Sequence, residues 1–209
     1  MGKIKKRIIS LSLLLFITIS VISLSGCTKK LSEEEAIAKV SELVDASYEL
    51  NVIVYGEGLP TIEIPEEKDS LYKTVKENEK YNSTSDIKKA INEVFSSDYA
   101  DVMITTAFVG IKGEIDSSIV YARYIDGRYG LAILKDDIAL KGEVEGEDGK
   151  EEIDYDGFKV IKYDTSTVKI KKISRRFVEA YVTSEDGKTE ILVTLISENG
   201  VWKLDTPTY

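Results

Sequence analysis

The sequence predicts an α+β fold in which N-terminal helices pack on a curved antiparallel sheet, and three observations carry that prediction. Apolar residues recur at intervals of three or four over residues 32–53 and again over 87–107, the spacing of a buried helical face. After Gly110 the period falls to two, in segments rich in β-branched and aromatic residues. Asp-Gly and Asn-Gly dipeptides separate those segments at hairpin spacing. Helices followed by strands is the order of an α+β chain.

The first helix is predicted from Ser32 to about Ile53. Ser32-Glu33-Glu34-Glu35 has the capping-box spacing, in which the serine accepts from the third amide and the glutamate reaches back. Three acids in the first turn suit the positive end of the helix dipole. Ile37, Val40, Leu43, Val44, Tyr48 and Val52 form the expected buried stripe. Gly56 to Pro60 ends the helix, and residues 59–82 read as a loop with a short ordered piece near Leu71 to Val75. In the segment after it, Ile87, Ala90, Ile91, Val94 and Phe95 form one stripe and Tyr99, Val102, Met103 and Ala107 another. Two short helices meeting at a Ser96-Ser97-Asp98 corner account for both stripes, as does a single bent helix. The strand segments are SSIVYARYI, RYGLAILKD, FKVIKYD, TVKIKKIS, RRFVEAYVTS, KTEILVTLIS and VWKLD, read as one meander. Tight turns are expected at Asp126-Gly127, Asp148-Gly149, Asp186-Gly187 and Asn199-Gly200, with a bend or bulge at Asp156-Gly157. Few polar residues fall on the second face of the last strands, so partial cover is expected there. The acidic stretch 142–156 reads as a solvated hairpin.

Ahead of all this, Lys3, Lys5, Lys6 and Arg7 precede an uncharged stretch from Ile8 to Gly26. A basic start, an apolar middle and a small-residue exit describe a secretory signal. Five serines dilute the apolar run, which makes it marginal as a permanent span of about 20 apolar residues. Its end, Leu24-Ser25-Gly26-Cys27, resembles the lipobox of bacterial lipoproteins. That resemblance implies a diacylglycerol on the sulfur of Cys27, cleavage before Cys27, and often acylation, as by palmitate, of the new amino terminus. It divides the chain into a signal peptide over 1–26, a lipidated tether over 27–31 and a single domain over 32–209, held on the extracytoplasmic face of the cell membrane.

Composition excludes several chemistries. The chain has no histidine, and Cys27 is its one cysteine. Ser-His-Asp and Cys-His catalysis, His/Cys zinc sites and an imidazole switch are therefore absent. Four of the 28 basic residues and none of the 37 acids lie in the leader, so the mature part carries 24 against 37, a net charge of −13. Such a surface repels nucleic acid and anionic headgroups beyond the tether and suits a basic partner. Lys29 and Lys30 either touch anionic lipid or belong to a solvated tether. The acids of 142–156 lack the calcium-loop spacing, and no metal or cofactor is expected.

The SDIKKAINEVFSSDYAD helix pair, the YARYIDGRYG hairpin and the terminal ENGVWKLDTPTY resemble the NTF2-like extracellular domains of low-GC Gram-positive lipoproteins. They are less closely similar to the IseA family, secreted inhibitors of cell-wall DL-endopeptidases. The resemblance covers most of residues 32–209 and implies a cystatin-like or NTF2-like cone, a curved sheet wrapped around a long helix. Tyr121, Arg123, Tyr124, Arg128 and Tyr129 make the densest polar-aromatic hairpin. They either line a pocket or contact a partner, as Tyr and Arg do at binding hot spots, or are ordinary strand positions. Trp202 is expected in the core. Three function classes follow: a non-catalytic binding domain restraining a wall hydrolase, a small-molecule or lipid carrier using the cone's interior, and a hydrolase built on two carboxylates. The first is the leading expectation, and no enzymatic activity is expected.

Overall fold

The structure, a computed structural model, describes residues 30–77, 79–112, 120–127, 130–134, 142–146, 149–153 and 160–209. It is an α+β fold. Helix α1 (Glu33–Val54) leads through a 3-10 turn at Pro65–Glu67 and strand β1 (Tyr72–Thr74) to α2 (Thr84–Val94) and α3 (Ser97–Phe108). Strands follow at Ile111–Lys112 (β2), Val120–Tyr121 (β3), Tyr124–Gly127 (β4), Gly130–Leu134 (β5), Gly142–Gly146 (β6) and Gly149–Ile153 (β7). Tyr163–Ile173 (β8), Phe177–Ser184 (β9), Glu190–Glu198 (β10) and Val201–Leu204 (β11) complete them. The expected single meander is divided. One sheet has the order β1-β5-β4, another the order β11-β10-β9-β8, and β2-β3 and β6-β7 pair as separate hairpins, all antiparallel. The ordered piece expected near residue 72 is β1, which takes the edge of β5 and keeps that sheet apart from the C-terminal meander.

The capping box of α1 forms as its spacing predicts. Glu35 N donates to Ser32 Oγ at 3.2 Å, and Ser32 N donates to Glu35 Oε2 at 2.7 Å. The buried face is rotated from the expected stripe. Ala36, Val40, Leu43, Val44, Ser47, Leu50, Asn51, Ile53 and Val54 are buried, while Ile37, Tyr48 and Val52 are half-buried flanks. The rotation has a cause: Ser47 and Asn51 sit in the middle of the buried face, and a reading by hydrophobicity alone passes over them. Val40, Val178, Ala180, Val182, Val193, Leu195 and Leu204 are all fully buried in one cluster. Each large apolar side chain there gains about 1.5–3 kcal/mol from leaving water, an upper estimate.

The corner between α2 and α3 also forms, with a different cap. Ser96 Oγ donates to Asp205 Oδ1 at 2.6 Å instead of capping its own helix, and Ser96 N donates to Leu204 O at 2.9 Å. The amide of Ser97 goes to Glu198, at 3.1 Å and 3.3 Å to its two oxygens, so a carboxylate from β10 faces the positive end of α3. The corner thereby continues the sheet past β11, with Phe95 bridged to Leu204.

FKVIKYD and TVKIKKIS do not make two strands. β8 is one long strand beginning at Tyr163, with irregularities between Asp164 and Lys169 and between Ile170 and Lys172 where it pairs with β9. The Asn199-Gly200 turn is as expected: both residues have positive φ, 52° and 84°, and Glu198 pairs directly with Val201. Between β8 and β9 the chain turns without glycine, because Ser174 Oγ accepts from Arg176 N at 3.1 Å and Phe177 N at 2.9 Å. The expected cover on the second face is there in part, since Leu192 and Ile196 are half-buried while Tyr181 is exposed.

Candidate functional site

Strand β4 and the residues before it bring Arg123 and Tyr124 to the end of α1. The last turn of that helix carries no basic residue; Asn51 O and Val52 O accept from the following amides, which leaves the carbonyls of Ile53 and Val54 to be met from elsewhere, with no compensating charge of the helix's own. Arg123 supplies a partner and a charge from a distant segment. Its Nη1 donates to Val54 O at 2.8 Å and its Nη2 donates to Gly56 O. Tyr124 is 1% exposed; its hydroxyl donates to Ile53 O at 2.8 Å and accepts from Leu59 N at 3.0 Å. Its ring centroid lies 6.2 Å from that of Phe108. Gly58, at φ +80°, allows this close approach, because a Cβ there would sit 2.1 Å from Ile133 Cδ1 and 2.9 Å from the Tyr124 hydroxyl. Arg123 and Tyr124 thus face inward and tie α1 to the β1-β5-β4 sheet. Arg123 Nε is buried with no hydrogen-bond partner. Cys27, Arg128, Tyr129 and the side chain of Tyr121 lie outside the described residues. So do Asp148 and Asp156-Gly157. Trp202 packs half-buried against the core.

A second polar group escaped the sequence reading. Ser47 and Asn51, one helical turn apart on the buried face of α1, converge on Thr208: Ser47 Oγ lies 2.8 Å from Thr208 Oγ1, and Asn51 Nδ2 donates to the same oxygen at 2.8 Å. All three are no more than 1% exposed, and Asn51 Oδ1 has no hydrogen-bond partner. Next to them the rings of Tyr55 and Tyr209 lie 4.2 Å apart at 35°. Burial, then the proximity of Tyr209, pushes the Tyr55 phenol well above its ordinary range. The group pins the C-terminal segment along α1. A serine and an asparagine at i and i+4 on an otherwise apolar helix face are the signal that marks it.

Several carboxylates serve local structure. Asp86, Asp164 and Asp186 are held below their ordinary range, chiefly by hydrogen bonds from the hydroxyls of Ser83, Ser166 and Ser184 respectively. A general acid needs the opposite shift. Asp126 accepts from Thr84 N and Oγ1 at the start of α2, and Glu67 from Thr74 N and Oγ1 beside β1. Among the described residues no group of three acids is placed to hold a metal ion.

The space between α1 and the four-stranded sheet is filled by the fully buried side chains of the core cluster. Two surface pockets lie elsewhere, around the segment preceding β1. One, of about 390 Å3, is lined by Ile62, Ile64, Val75, Tyr81 and Leu131. The other, of about 490 Å3, is lined by Ile62, Ile64, Pro65, Glu67 and Lys73. Among the described residues no helix is long and apolar enough to cross a membrane. No protein-family model matches the chain, and no curated protein matches it.

Proposed function

We propose that this chain is a lipoprotein, anchored through Cys27 to the extracytoplasmic face of the cell membrane, whose NTF2-like domain binds an envelope component without catalysing a reaction. A wall hydrolase that it restrains is the leading partner. The observation that carries the reading is the pairing of a lipobox at Cys27 with a helix whose capping box closes at Ser32, five residues further on. Two acyl chains bind a bilayer far more firmly than one, and the five steps from Cys27 to Ser32 span at most about 18 Å, so the domain works close to the membrane. Among the described residues, the fully buried side chains between α1 and the four-stranded sheet support recognition at the surface over carriage of a small molecule between them. The acidic hairpin of β6 and β7, with its backbone paired from Gly142↔Ile153 to Gly146↔Gly149, is the segment suited to enter a hydrolase cleft.

A wall-lysis assay tests this. Purified DL-endopeptidase is mixed with cell walls, and the lipid-free protein is added in molar excess. Slower loss of turbidity, relieved when Glu151 and Glu152 are replaced by lysine, is expected. Unchanged lysis at saturating protein overturns the hydrolase reading.

A further inference from the structure

In a strongly acidic chain, residues 165–178 carry five cations and no acid: Lys169, Lys171, Lys172, Arg175 and Arg176. All five are exposed. They lie on β8, an edge strand, and on the turn after it. On β9, Val178, Ala180 and Val182 face the core, so Phe177, Glu179 and Tyr181 face outward. Lys169 pairs with Tyr181 and Lys172 with Glu179, which puts both lysines on the outer face. Strict alternation from Lys169 keeps Lys171 on this face and would turn Lys172 inward. The irregularity between Ile170 and Lys172 brings Lys172 out as well, and Lys171 Nζ lies 3.3 Å from Glu179 and 6.0 Å from the Tyr181 ring centroid. Lys172 Nζ stands 4.8 Å over Phe177. Three lysines therefore share one face of the edge. Lysines and bulges on an edge strand also deter pairing with another chain; the extension of the basic run through Arg175 and Arg176 into the turn, past the paired strand, goes beyond that task. Glu179 pairs with Lys171, and among the described residues no ion pair holds Lys169, Lys172, Arg175 or Arg176.

The strip lies at the tether end of the molecule. Lys162 stands over the Tyr48 ring, Thr165 Oγ1 donates to Asp45, and Ser41 Oγ donates to Thr165 O, so α1 and β8 run in opposite directions. Going back from Ser41 to Ser32 covers about 14 Å of helix. Going forward from Thr165 to Lys169 and Lys172 covers about 13 and 23 Å of strand. Arg175 and Arg176 come next, at the tip of the β8-β9 turn. Glu33, Glu34 and Glu35 occupy this end too, but on the helix that covers the other face of the sheet.

We propose that the outer face of β8 and the following turn dock on anionic phospholipid headgroups. This rests on the anchoring reading above and sharpens it: the domain lies against the bilayer in one orientation, held by the anchor and by a basic strip. Each cation near an anionic leaflet favours surface binding by about fivefold.

The test uses the mature, lipid-anchored protein reconstituted into vesicles of phosphatidylcholine alone or with phosphatidylglycerol, read by amine-reactive labelling and mass spectrometry. Lys169, Lys171 and Lys172 are expected to label several-fold more slowly on phosphatidylglycerol vesicles, with Lys89 unchanged and the protection lost in 0.5 M salt. Equal labelling on both vesicles overturns the proposal. Protection by added polyphosphate but not by vesicles also overturns it and reassigns the strip to a soluble phosphodiester polymer. Failure of the anchor has its own signature, loss of flotation with neutral vesicles. In that event the strip still predicts flotation with phosphatidylglycerol vesicles, abolished in K169E/K171E/K172E at an unchanged melting temperature.

Discussion

Replacing Arg123 with alanine tests most sharply whether this side chain belongs to the fold or to a binding surface. The guanidinium donates to the carbonyls of Val54 and Gly56 at the exit of α1. A hydrogen bond from a charged donor contributes about 1.5–3 kcal/mol net, and a cation at a helix C-terminus about 0.3–1 kcal/mol. Arg123 is half-buried, so solvent screening trims the sum and a loss of about 2–4 kcal/mol is expected. For a domain of this size about 2–4 °C of melting temperature goes with each kcal/mol, which gives about 4–16 °C. R123K keeps the charge but not the fork and should lose about half as much. Thermal and urea unfolding of the isolated protein, with no partner present, measures both. If R123A melts within 1 °C of wild type at an unchanged urea slope, the capping role is refuted and the side chain is free for recognition.

Gly58→Ala meets Ile133 Cδ1 at 2.1 Å at a φ of +80°, whereas Gly187→Ala, at φ +71°, meets nothing within 4 Å. G187A should therefore cost about 1–2 kcal/mol of backbone strain and G58A clearly more, an order that chemical denaturation checks. Glu198→Ala removes the cap of α3 supplied by β10; a loss of about 0.5–2 kcal/mol and faster amide exchange at Ser97 are expected. Thr208→Val leaves the Ser47 and Asn51 side chains without their shared partner; a cost of about 1–3 kcal/mol, read by urea midpoint, should come with loosening of the Tyr209 ring in NMR spectra. Asp186 is held below its ordinary 3.8, chiefly by Ser184 and then by the Lys188 amide. Its lowered folded-state value makes it stabilising above the unfolded pKa, with that stability lost as pH falls through the folded value. The gap in melting temperature between wild type and D186N should shrink on acidification below 3.8; a gap constant from pH 7 to pH 2.5 contradicts this.

Local signals in the sequence proved reliable where a single segment decides the outcome. The capping box at Ser32 and the left-handed pair Asn199-Gly200 need only neighbouring residues, and both form. Features set by distant segments were not legible. The Ser96-Ser97-Asp98 corner is visible in the sequence, but the amide at the start of α3 is satisfied from β10, because Ser96 is drawn away to Asp205. The hairpin residues Arg123 and Tyr124 suggest a pocket by composition; their hydroxyl and guanidinium instead answer a shortage of partners at the far end of α1. The division into two sheets follows from β1, too short to signal its pairing with β5. The lysine strip on β8 depends on a bulge that breaks the period-two pattern from which strand faces are read.

The central claim is attachment through Cys27, and the chemical state of the mature amino terminus tests it most directly. The protein is isolated from the membrane fraction of a Gram-positive host and its first peptide sequenced by mass spectrometry. The account predicts a peptide beginning at Cys27 and carrying the mass of a diacylglycerol on sulfur, and Cys27→Ser should abolish both the cleavage and the lipid. An unmodified cysteine, or a chain cleaved at another position and released from the membrane, would contradict it.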